Sequence, residues 1–373
     1  MQASVIAEIA SALHQSYGRL WKHFAGTVMQ NIRILGAAIL FALSAACAGV
    51  QKTPSASQAF SFPVIGDIPY SDEDRYVLEE QIVPAIRSGG YPFVIHLGDY
   101  KGGGVPCAPE HDDAQLALIE ELAPIPVFYT PGDNEWTDCD RFDDPETGKR
   151  QSELARLEKL RTLFFSDLPP APDALAYMRQ PEAPENATWR YGGMRFATTH
   201  IAATGNGRRA VEGDDPADAA AEADRREAAA LDWLANVSAL AREEGAQALV
   251  IAVQADMSDV QAKVLGKPCE GAVASREQQC DAFTGLRAAI REAAVSFGGP
   301  TLLIHGDTAP FRLGQSFAGD EAPNLWVLNA AGDHGVTRLG IRYGVQDGTL
   351  VTFQPEASAP FSARGLVTGI AAN

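Results

Sequence analysis

Three observations predict an α/β fold. Three short apolar runs, Phe62-Pro63-Val64-Ile65, Phe93-Val94-Ile95 and Ile125-Pro126-Val127-Phe128, each lead within a few residues into a Gly-Asp pair. Segments of helical periodicity lie between and beyond them, and the tail from Asn324 to Phe353 holds three strand-like runs that suggest a second sheet packed on the first. The apolar runs read as buried parallel strands, and an open α/β sheet collects its site at the carboxyl ends of such strands. The motifs are Gly66-Asp67-Ile68-Pro69-Tyr70, Gly98-Asp99-Tyr100-Lys101 and Pro131-Gly132-Asp133-Asn134-Glu135-Trp136. One Gly-Asp alone is an ordinary turn or helix N-cap. Three together gather carboxylates that repel one another unless a cation binds them, which points to a hard-metal site.

In chain order, the folded part is expected over 61–373, after a polar small-residue linker at 49–60. Ser71 and Asp74 form a capping-box pattern ahead of Leu78, Ile82 and Ile86 at helical spacing; Pro84 should kink this helix and Gly89-Gly90 should end it. Short helices are expected at 116–122 and 151–165. Trp189 to Ala197, broken at Gly192-Gly193, is a β-hairpin pattern. A long helix follows over 216–244 with Leu231, Leu234, Val237 and Leu240 on its apolar face. Strands are expected at 248–253, ending at Gln254, and at 301–304, ending at His305-Gly306-Asp307-Thr308, with an amphipathic helix over 281–297 between them.

The 373 residues carry a formal charge of −18, and the 325 after Ala48 carry −20. That field repels a phosphate backbone and excludes nucleic acid as a natural partner, whereas it draws divalent cations in. Residues 29–48 have the order of an export signal: Met29, Arg33, an apolar stretch from Ile34 to Leu43, then Ser44-Ala45-Ala46-Cys47-Ala48. Ala46-Cys47-Ala48 suits one signal peptidase, while Ser44-Ala45-Ala46-Cys47 resembles a lipobox that would place a lipid anchor on Cys47. Residues 1–28 fit such a signal poorly and read as an upstream extension before the true start at Met29. The expected location is therefore the periplasm or the cell envelope, with membrane contact only through that anchor. Four further cysteines suit an oxidising compartment, and the economical pairing joins Cys107 to Cys139 and Cys269 to Cys280.

Asp67, Gly98-Asp99, Gly132-Asp133-Asn134-Glu135, Gln254 and Gly306-Asp307-Thr308-Ala309 stand in an order that resembles the calcineurin-like metallophosphoesterase superfamily. The resemblance implies a two-sheet β-sandwich flanked by helices, in α/β/β/α layers. It also implies hydrolysis of phosphate esters or anhydrides of small substrates by one or two divalent cations bridged by Asp99. On that basis the metal ligands would be Asp67, Asp99, Asp133, Gln254 and Asp307, an oxygen set that favours Mn, Mg or Ca over Zn.

The departures are specific. Pro69 and Ala309 stand where that family has ligand histidines, and Asn134 stands where it has its acid-base histidine. An amide does not supply a proton near neutral pH. Lys101, His305 and His200 are the candidates to compensate, by charge or as proton donors; Tyr70 either replaces a ligand or packs, and Glu135 and Trp136 are expected to shape the pocket wall. His96 reads as a core or supporting group, and His111 and His334 carry no signal. The rival function is a catalytically inactive binding module of the cell envelope.

Overall fold

Alternating apolar residues build two facing sheets. In the computed structural model, residues 59–373 are described apart from 146, 168–171 and 316–317. The extension, the signal segment with Cys47 and all of the linker before Ala59 lie outside the described residues. The first sheet has the order β14-β13-β1-β2-β3, formed by β1 (Phe60–Ile65), β2 (Val94–His96), β3 (Val127–Tyr129), β13 (Thr349–Phe353) and β14 (Phe361–Gly365). Its first three strands are parallel, as their apolar runs predict, and β13 and β14 extend it antiparallel. The second sheet has the order β4-β5-β6-β7-β8-β10-β9. Its strands are β4 (Met178–Gln180), β5 (Ala183–Tyr191), β6 (Met194–Thr198), β7 (Leu249–Ala252), β8 (Thr301–His305), β9 (Arg312–Gly314) and β10 (Leu325–Asn329). A separate hairpin pairs β11 (His334–Val336) with β12 (Arg342–Gly344). The tail thus does not form a sheet of its own: β10 joins the second sheet and β13 the first.

Phe62, Phe93 and Phe128 of the first sheet meet Trp189, Phe196 and Val250 of the second in one buried core. Rings of Phe93 and Phe196 lie 4.9 Å apart, edge to face. Each sheet turns its other face to helices. Ile65, Val94 and Val127 pack under α1 (Asp72–Val77), a π-helical turn (Leu78–Ile82), α2 (Val83–Ser88) and α3 (Pro109–Glu121). The π turn sits just before Pro84, whose ring and missing N–H a regular helix interior does not tolerate. After α4 (Glu153–Phe165), the outer layer of the second sheet is α5 (Pro216–Glu243) and α6 (Thr284–Phe297), packed on Leu249, Ile251 and Leu303. Layers therefore run α/β/β/α. On α5 the buried stripe is Ala230, Trp233, Leu234 and Val237, while Leu231 faces solvent, against expectation. Trp233 takes its place, its indole N–H donating to the carbonyl of Thr198 at 3.1 Å.

Candidate functional site

The loops that leave β1, β2 and β3 at their carboxyl ends deliver Asp67, Asp99 and Asp133, and those leaving β7 and β8 deliver Gln254 and Asp307. Asp67, Asp99 and Asp307 all have left-handed backbone, with φ of 55°, 57° and 72°. Non-glycine residues adopt that region at a cost, and it recurs where a side chain must be aimed. The loops brace one another. Glu135, fully buried, accepts hydrogen bonds from the backbone N–H of Asp99 (2.9 Å) and Gly132 (2.8 Å) and from the Tyr129 hydroxyl (2.8 Å). The N–H of Asn134 donates to Asp99 Oδ1 at 3.1 Å, and that of Asp307 to Asp67 Oδ1 at 2.9 Å.

Two neutral donors stand between the carboxylates. The Tyr70 hydroxyl lies 3.2 Å from Asp67 Oδ1 and 3.3 Å from Asp99 Oδ2. Gln254 Nε2 lies 3.0 Å from both Asp99 Oδ2 and Asp133 Oδ1. The orientation of that amide is set by its oxygen, which accepts the Ala203 N–H at 2.7 Å. Gln254 was expected to offer an oxygen to a metal; it presents N–H groups instead. Asn134 Nδ2 donates to the Tyr70 hydroxyl at 3.1 Å, so the residue at the acid-base position orients the tyrosine. Tyr70, for which packing and ligation were both open, is a bridge.

Burial and the mutual repulsion of the cluster hold its protons. Asp67 is pushed up to about 7 by burial and by Asp333, partly offset by its hydrogen bonds. Asp99 and Asp307 are raised well above the usual carboxylate range by burial and by their acidic neighbours, Asp133 foremost. Asp307 is half-buried, and its Oδ2 accepts the Asp256 N–H at 3.3 Å.

The three candidates to compensate are engaged by other partners. Lys101, for which a stand-in for a cation and a plain salt bridge were both open, is buried, and its Nζ donates to the carbonyls of Gly102 (3.2 Å) and Val105 (3.0 Å) of its own loop. Burial lowers its pKa against the pull of Glu135, Asp138 and Asp99. His305 directs Nδ1 to the Gly306 carbonyl at 2.9 Å and Nε2 toward Asp256 at 4.0 Å. His200 is buried, 5.0 Å from the Trp136 ring and 3.6 Å from Glu185 Oε1. His96 is a core group whose Nδ1 accepts the Gly98 N–H at 3.1 Å.

Sequence reasoning missed Thr204. Its hydroxyl donates to Asp133 Oδ2 at 2.7 Å from a turn in which Thr204, Gly205 and Asn206 are all left-handed. Gly205 and Gly207 flag a turn there, but nothing in the sequence points it at Asp133. Asp138, paired with Arg141 and 3.3 Å from the Thr204 hydroxyl, was also missed, as was Asp333. The two cysteine pairs stand as expected: Cys107–Cys139 and Cys269–Cys280 are disulfides.

Hard carboxylate oxygens suit a divalent cation, but the Asp67–Asp99 and Asp99–Asp133 gaps are bridged by Tyr70 and Gln254. Among the described residues, no three His, Cys, Asp or Glu side chains are disposed to hold one ion. The arrangement does not fit a two-cation centre.

Residues 60–241 match the model of the calcineurin-like phosphoesterase family. No curated protein matches the chain. Among solved structures, one similar chain is described as GAP50, the anchor in the inner membrane complex of Plasmodium. It is 11% identical with a TM-score of 0.44, over 83% of this chain and 86% of that one.

Proposed function

We propose that this chain, which belongs to the calcineurin-like phosphoesterase family through residues 60–241, uses the family's frame as a binding module of the cell envelope and not as a two-cation hydrolase. Members of that family generally use divalent metals. One observation carries the reading: the Tyr70 hydroxyl and the Gln254 amide already stand within hydrogen-bond distance of Asp67, Asp99 and Asp133 and occupy the gaps between them. Buried polar networks satisfied in this way are rigid and need no further ligand. Two disulfides support a location outside the reducing cytosol, in keeping with the signal-like segment at 29–48.

A second reading, hydrolysis of phosphate esters or anhydrides, is favoured by a different observation. Asp67, Asp99, Asp133 and Asp307 gather four carboxyl groups at one end of the two sheets, and among the described residues none of them is in an ion pair. Metal analysis of protein purified without a chelator, combined with an aryl phosphate assay in Mn²⁺ or Mg²⁺, separates the two. The binding module holds less than two equivalents of metal and shows no turnover. Two equivalents together with turnover that Asp99→Ala abolishes would establish the hydrolase.

A further inference from the structure

Large apolar side chains scattered singly over a surface need no explanation, but a cluster does. Of thirteen large hydrophobics exposed among the described residues, four fall within 336–343: Val336, Leu339, Ile341 and Tyr343. All four belong to the β11–β12 hairpin, and Leu339 at its tip is 86% exposed. The tip is built to stay folded. The Thr337 N–H donates to the Ile341 carbonyl at 2.8 Å, Gly340 supplies the left-handed position at φ 76°, and the Ile341 N–H donates to Thr337 Oγ1 at 3.1 Å. Its stem is fastened to the body by the Gly332 N–H on the Val345 carbonyl (2.9 Å) and by His334 Nε2 on Asp74 Oδ1 (3.1 Å). The result is a stiff, greasy finger.

Charge distinguishes this finger from the rest of the surface. Residues 334–346 contain Arg338 and Arg342 and no acid, on a chain whose net charge is −18. Among the described residues neither guanidinium has an ion-pair partner. We propose that the β11–β12 hairpin is a membrane-docking finger, which inserts Leu339 and Ile341 into the interfacial region of an anionic lipid bilayer while Arg338 and Arg342 meet the lipid phosphates. Shallow insertion of a few apolar side chains beside basic ones is how peripheral proteins hold such a surface. The acidic body is repelled by the same surface, so the finger is the part that meets it first. A second copy of the chain is a poorer occupant, because a stable dimer needs roughly 800 Å² and 20–30 residues from each partner, far beyond four side chains on one short hairpin. Docking in this way would also hold the carboxylate site near the bilayer, because the loop that starts the hairpin carries Gly332 against Gly66 and Asp67. The proposal does not depend on whether that site turns over a substrate.

The test is co-sedimentation of the form that begins at Gly49, which lacks both the apolar stretch 34–43 and Cys47 so that neither contributes, with vesicles of phosphatidylcholine and phosphatidylglycerol or of phosphatidylcholine alone. Leu339→Ser with Ile341→Ser should weaken binding to the anionic vesicles roughly tenfold or more. Arg338→Glu with Arg342→Glu should remove both the preference for the anionic vesicles and the sensitivity to salt. All four positions are exposed, and an unchanged thermal melt of each variant shows that the fold is intact. Failure of the parent to bind either vesicle, or equal binding by parent and both variants, would overturn the proposal. So would a dimer in analytical ultracentrifugation that the Leu339→Ser, Ile341→Ser variant dissolves, which would assign the finger to a second copy.

Discussion

Gln254 Nε2 and Asp99 Oδ2 lie 3.0 Å apart, and the same nitrogen is 3.0 Å from Asp133 Oδ1. One neutral amide thus ties the ends of two loops from one sheet to a loop of the other. Gln254→Leu removes the donor and leaves two buried acceptors short of a partner, as well as the Ala203 N–H. A loss of about 3 kcal/mol of stability is expected, from hydrogen bonds to charged groups and the desolvation left behind. Gln254→Glu should cost more, because it adds a further carboxylate to the cluster. Denaturant unfolding of both variants measures the order, and a Glu variant as stable as the parent would show that a cation neutralises the site.

Tyr70→Phe tests the other bridge. It deletes the hydroxyl between Asp67 and Asp99 and strands Asn134 Nδ2, with an expected cost of about 1–3 kcal/mol. Tyr70→Phe combined with Gln254→His opens the first gap and supplies an imidazole at the second. Titration calorimetry with Mn²⁺ should then detect binding that is absent from the parent. Equal affinity in parent and double variant would mean that the bridges do not block cations.

How far the site was legible follows from where its determinants sit in the chain. Asp67, Asp99 and Asp133 were readable because each ends a local pattern, an apolar run followed by Gly-Asp, and β1, β2 and β3 are adjacent and parallel. The position of Gln254 was readable too, but not its role. Whether an amide offers oxygen or nitrogen was decided by the Ala203 N–H, 51 residues away and on the far side of α5 in the chain. His334 looked uninformative for the same reason, since its partner Asp74 lies 260 positions earlier. On α5, Leu231 and Trp233 both satisfied a helical pattern, and only the Thr198 carbonyl selected the tryptophan.

Acid should weaken the fold through His200. Burial pushes its pKa down to about 4, against an ordinary value of 6.5, despite the nearby Glu185. Between those values the unfolded chain takes up a proton that the folded protein refuses, so this contribution is complete above about pH 6.5 and is lost as pH falls toward 4. At about 1.4 kcal/mol per unit, the loss amounts to about 3 kcal/mol. His96, lowered to about 3 by burial, acts in the same direction. Unfolding free energies should show a shallower acid slope in His200→Leu than in the parent. An NMR titration that finds the His200 imidazole charged at neutral pH would reverse the expectation.

The disulfides should differ in worth. Cys107–Cys139 spans 32 positions and Cys269–Cys280 spans 11. Restriction of the unfolded chain alone gives about 4 kcal/mol for the first and about 3 for the second. Paired Cys→Ser variants, compared by thermal melting, should lose stability in that order. The first bridge also pins the loop of Lys101 beside Asn134, so its removal should loosen the Tyr70 network as well.

Gly132 lies against Asp99 so closely that a methyl group there would collide with Oδ1, and Gly306 stands in the same relation to Asp67 Oδ2. The aim of both carboxylates is therefore enforced from behind by bare backbone, and from within by the left-handed φ of Asp67 and Asp99. Neither constraint refers to what fills the space in front. The direction of the two carboxylates is thus a property of the backbone, the same whatever the space in front of them holds.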